Sequence, residues 1–71
     1  MKREKTGAGR RRLKPDDEVI TKIPKGGIPA GTFGIVESVD EDGIWVDVYI
    51  PAEADVPEDT VLYAEEELSP Q

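Results

Sequence analysis

From Gly31 to Ile50 the chain reads GTFGIVESVDEDGIWVDVYI. Ile44, Val46, Val48 and Ile50 alternate with Trp45, Asp47 and Tyr49. That is the period of a β-strand with one aliphatic face and one aromatic, acidic face. Asp40-Glu41-Asp42-Gly43 supplies a turn before it, in which Gly43 is free to take a positive φ. On the other side of the turn, Phe33–Asp40 carries Phe33, Ile35, Val36 and Val39. The period of two breaks where Val36 intrudes, and a β-bulge near Glu37-Ser38 restores the inward direction for Val36 and Val39. The two segments predict one hairpin, Phe33–Asp40 with Gly43–Ile50. Pro51 ends it, because proline has no N–H to give to a ladder.

The flanking segments predict three more strands. Asp17–Ile23, DEVITKI, places Val19, Thr21 and Ile23 on one face and Ile20 on the other. Residues 24–32, PKGGIPAGT, hold two prolines and three glycines and read as a long loop folded back through Ile28. Residues 51–59, PAEADVPED, form an acidic loop, and Thr60–Tyr63 is a fourth strand. Ala64–Glu67 suits a single helical turn that drops Leu68 into the core, where the last strand begins. The expected fold is all-β: a small five-strand barrel with Val36, Val39, Val46, Val48 and Leu68 inside. Closing the sheet removes its exposed edges.

Residues 1–14, MKREKTGAGRRRLK, show no apolar period and read as a disordered basic arm, with the barrel occupying 15–71. The charge divides at the same place. Residues 1–14 carry seven Lys or Arg against Glu4, net +6, and residues 15–71 carry Lys22 and Lys25 against fifteen acids, net −13. The body repels nucleic acid at long range while the arm attracts it. With 71 residues there is room for one domain. The absence of cysteine and histidine removes disulfides, thiolate metal sites and the commonest general base. No apolar run approaches the roughly 20 residues of a membrane helix, so a cytoplasmic protein is expected.

LKPDDEVI…AGTFGIVESVD resembles the start of a KOW-type SH3-like barrel (residues 15–40), in which a strand bearing G-D-x-V is followed by G-x-x-G-x-V-x-x-V. Gly31, Gly34, Val36 and Val39 match the second element, and Asp16 stands where the first has its turn glycine. Residues 31–68 are similar to the photosystem I reaction-centre subunit IV family. The likeness lies in Val36-Glu37-Ser38-Val39-Asp40 before Gly43-Ile44 and in Tyr63-Ala64-Glu65-Glu66-Glu67-Leu68. Both resemblances imply an SH3-like barrel. That photosystem subunit docks through a basic surface, which this acidic body does not match, so its role is not carried over.

Trp45 and Tyr49 share the non-core face of the third strand, with Asp47 between them. Exposed aromatics flanked by acids resemble the groove by which SH3-like barrels hold proline-rich or basic peptides. The alternative is that the 24–32 or 51–59 loop covers them, since so short a chain uses nearly all its aromatics for packing. The acidic loops read as solvated surface; DEDG is too short for the spaced oxygen ligands of a calcium loop. Gly26-Gly27, Gly31 and Gly34 lack the Lys-Ser/Thr ending of a phosphate loop. Arg10-Arg11-Arg12 is a candidate phosphate-contacting run.

These residues point to a non-catalytic module without cofactor or metal, binding a protein partner through Trp45, Asp47 and Tyr49, with Arg10, Arg11 and Arg12 as a second attachment. One alternative is a KOW-like RNA- or ribosome-associated module, in which the arm finds phosphate and an aromatic ring stacks a base. Another is an acidic inhibitor that imitates nucleic acid.

Overall fold

Alternation carries Gly43–Tyr49 into a strand, and its hairpin with Phe33–Asp40 is the centre of the sheet in the computed structural model, which describes residues 12–71. The strands are β1 (Glu18–Thr21), β2 (Phe33–Asp40), β3 (Gly43–Tyr49), β4 (Asp59–Tyr63) and β5 (Leu68–Pro70). They form one antiparallel sheet in the order β4-β3-β2-β1-β5. A 3-10 turn, Glu65–Glu67, separates β4 from β5. Gly43 takes a φ of 140° at the hairpin turn. The β2–β3 register shifts between Val36 and Ser38, which is the expected bulge.

The inner face is aliphatic. Ile44, Val46 and Val48 of β3 are buried with Val36 of β2, Val19 and Thr21 of β1, Tyr63 of β4 and Leu68 of β5. Ile28 of the 24–32 loop closes one side, as expected. That loop is more regular than its composition suggests: Lys25 and Ile28 exchange backbone hydrogen bonds around Gly26-Gly27, whose φ values are 60° and 81°. Thr21, the polar member of the inner face, is satisfied. Its hydroxyl donates to the Pro29 carbonyl and accepts from the Thr32 N–H.

Two residues expected inside or on the aliphatic face are exposed. Val39 is 46% accessible. The bulge does turn it to the side of its register partner Ile44, but β1 pairs β2 only over Phe33–Ile35, so that end of the hairpin overhangs the core. Ile50 is 43% accessible because β3 ends at Tyr49, one residue before the period would bury it. Conversely, Leu13, read from sequence as part of the arm, is buried in the core. The turn that follows it is pinned: Lys14 donates to Asp17 through both its backbone N–H and its Nζ. Within that turn Asp16 holds a φ of 77°, the left-handed conformation that the absent glycine would take and that aspartate tolerates better than most residues. The remaining arm, residues 1–11, lies outside the described residues.

Barrel closure is not completed by a ladder: the sheet is open between β4 and β5. A side-chain latch spans this side instead. Lys25 Nζ donates to Glu67 Oε1 at 2.8 Å and lies 5.4 Å from the centre of the Tyr63 ring. The same oxygen accepts the Ala64 N–H at 2.9 Å. These bonds hold the Glu67 carboxyl below its ordinary pKa of 4.5, the Lys25 hydrogen bond contributing most. Among the described residues the Tyr63 hydroxyl is buried without a hydrogen-bond partner. Burial, and secondarily the Glu67 charge, push its pKa upward.

A carboxyl whose folded pKa is depressed stabilises the fold above its unfolded value and loses that contribution as pH falls through the folded one. Glu67→Gln should therefore lower the melting temperature at neutral pH. The gap between variant and wild type should close as pH falls below about 4.5. A gap that persists unchanged at acid pH would show that the ionised latch contributes nothing.

Candidate functional site

The outer face of the sheet is built by the side chains that alternate with the core. Register partners share a row across the strands. The first row is Ser38, Trp45 and Leu62; the second is Glu18, Ile35, Asp47 and Thr60; the third is Ile20, Phe33 and Tyr49. Neighbouring strands lie about 4.8 Å apart and successive rows about 7 Å apart. The face is thus apolar, then acidic, then apolar, along β3. Trp45, Asp47 and Tyr49, like Ile20, Phe33, Ile35 and Leu62, are half-buried, so the two loops border the face without sealing it.

The two aromatics expected to form one site are separated by the acidic row. Two row steps place them about 14 Å apart. Trp45 leans toward the hairpin turn, where its Nε1 donates to Asp40 Oδ2 at 3.2 Å. Tyr49 instead pairs with Phe33, ring centres 6.1 Å apart and planes tilted by 47°. Between them, Asp47 Oδ1 accepts the Thr60 hydroxyl at 2.7 Å.

A groove of about 340 Å³ opens beside the Phe33–Tyr49 pair, walled by Ile20, Pro29, Ile50 and Pro51. Sequence reasoning missed Phe33 and the proline walls. Phe33 was within reach: counting the register outward from the Asp40–Gly43 turn, with one bulge residue, sets it opposite Tyr49.

The described residues 12–71 carry Arg12 and three lysines against fifteen acids, net −11. Lys14 and Lys25 are held in ion pairs with Asp17 and Glu67. Arg12 is exposed, while Arg10 and Arg11 lie outside the described residues. Among the described residues no three acidic side chains converge as a metal site, and no helix is long and apolar enough to cross a membrane.

Comparison of the chain with protein-family models, with curated proteins and with solved structures gives no match. The class rests on the fold: a small all-β protein built on a five-strand antiparallel sheet, in an order compatible with an SH3-like barrel.

Proposed function

We propose that the chain is a non-catalytic, SH3-like binding module whose partner is another protein, engaged by the outer face of β3. The observation that carries this reading is the half-buried aromatic face with its groove, set in a body of net charge −11. Apolar side chains left half in water are covered favourably by a partner, and aromatic anchors supply a large share of interface energy. The acidic row through the same face repels phosphate, which weighs against an RNA ligand there. Arg12 and the adjoining basic residues would then supply a secondary attachment.

Tyr49→Ala should weaken capture of a cellular partner by at least about tenfold while leaving the circular dichroism of the chain intact. Capture should depend only mildly on salt, because burial of an aromatic anchor is not screened. Titration of single-stranded and duplex RNA against the full chain tests the opposite case. RNA binding that survives physiological salt and falls with a steep salt slope would overturn the protein-partner reading.

A further inference from the structure

The spacing of the outer face limits what kind of protein segment can lie on it. An extended chain places every second side chain on one side at intervals of about 6.6–6.8 Å, the same interval that separates the rows of this sheet. A segment laid along β3 therefore meets the Trp45 row, the Asp47 row and the Tyr49 row with positions i, i+2 and i+4.

Each row has its own chemistry. Trp45 and Leu62 offer apolar surface to position i. Phe33, Tyr49 and the groove beside them accept an apolar side chain at i+4. In the middle row Ile35 is flanked by Glu18 on one strand and Asp47 on the other, each about 4.8 Å away across the sheet. An arginine or lysine at i+2 can lay its alkyl stem on Ile35 and bring its head between the two carboxylates. Asp47 is already oriented by the Thr60 hydroxyl on Oδ1, which leaves Oδ2 for a donor. Lys22 is exposed and follows the end of β1 at Thr21, so in sequence it lies past Ile20 and away from Glu18 of the acidic row.

We propose that this face selects an extended protein segment of the pattern apolar–x–Arg/Lys–x–apolar. The proposal rests on the protein-binding reading above and deepens it by naming the partner's chemistry. A second copy of this chain is a poorer occupant, because two bodies of net charge −11 repel one another.

The test uses the full chain and a twelve-residue glycine-serine peptide with Leu-Ser-Arg-Ser-Leu at its centre. Amide chemical shifts and anisotropy are followed during titration at low and physiological salt. The expected result is shift changes confined to Phe33–Ile35, Trp45–Tyr49 and Glu18–Ile20. Moving the arginine by one position, or replacing it by glutamate, should weaken binding at least about fivefold. Asp47→Asn and Glu18→Gln should each weaken the arginine peptide and leave a glutamine-substituted peptide unaffected. Glu18 is exposed, so its variant keeps the test valid should Asp47→Asn disturb the fold.

Equal affinity whatever the position of the arginine would overturn the proposal. So would shift changes on another surface. Concentration-dependent dimerisation that perturbs the same amides would assign the face to a second copy. Perturbation of those amides by Arg10→Gln and Arg11→Gln, with no peptide present, would assign it to the chain's own basic residues. If the peptide fails while Tyr49→Ala still abolishes partner capture, the pattern is wrong and the protein-binding reading stands. If RNA binds and neither peptide nor protein does, both fall.

Discussion

Val46→Asp should leave the chain unfolded at 25 °C and neutral pH, with the strand signal in circular dichroism lost and the amide proton spectrum collapsed. Val46 has no accessible surface and sits midway along β3, in a row with Val36 on β2 and Val61 on β4. Every neighbour in that row is aliphatic, so a carboxylate there finds neither a cation nor a hydrogen-bond donor. Substitutions that bury an unpaired charge belong to the small group costing more than about 4–5 kcal/mol. A fold of this size, at roughly 0.05–0.15 kcal/mol per residue, holds only some 3–9 kcal/mol in total. The substitution therefore removes most or all of the stability. A variant melting within a degree or two of the wild type would mean that the inward and outward faces of β3 are assigned the wrong way round.

Gly34→Ala should be strongly destabilising as well, although it adds a single methyl group. Gly34 lies on the inner face of β2, where a Cβ would stand 2.5 Å from Val46 Cγ1, 3.1 Å from the Asp47 carbonyl oxygen and 3.6 Å from Val48 Cγ1. The carbonyl belongs to the backbone of the central strand, and Val46 is β-branched and enclosed, so neither can move aside cheaply. Overpacking of this kind costs about 1–3 kcal/mol, occasionally more. For a domain this small each kcal/mol lowers the melting temperature by about 4–8 °C, so a fall on the order of 10–20 °C is expected. The clash names its own remedy. Val46→Ala removes the Cγ atom, so the double variant should be distinctly more stable than the sum of the two single losses. Thermal melts of the four species measure this, and additivity within about 0.5 kcal/mol would contradict the contact.

Periodicity made part of this fold legible. The inward face of β3 follows from strict alternation, and the bulge follows from the one place where β2 breaks it. Leu68 was visible because a short turn before an aliphatic residue returns it to the core. The exposure of Val39 and Ile50 was not visible. Both satisfy the local pattern, and only the short reach of β1 and the early end of β3 leave them in water. Leu13 was missed because a single aliphatic residue among charges has no period to detect.

The site divides in the same way. That Trp45, Asp47 and Tyr49 share a face is a consequence of alternation alone. That they form two apolar rows around an acidic one depends on what β1, β2 and β4 bring alongside. The latch between Lys25 and Glu67 joins residues 42 apart and leaves no local mark in the sequence.

The pairing of β1 with β5 sets an order of assembly. Pairs in the β2–β3 ladder run from Asp40 with Gly43 to Phe33 with Tyr49, separations of 3 to 16 residues, whereas β1–β5 brings Thr21 to Leu68, 47 residues apart. Long-range pairs carry the larger loop-closure cost, and that cost falls once the intervening chain has already condensed. β1 pairs β2 across 13 to 17 residues and β3 pairs β4 across 11 to 19, so the meander of β1, β2, β3 and β4 is the unit that can form first, and β5 is clasped onto it last. In the reverse direction β5 is the first to leave. Its departure leaves Glu18, Ile20, Trp45, Asp47 and Tyr49 in register on the four strands that remain.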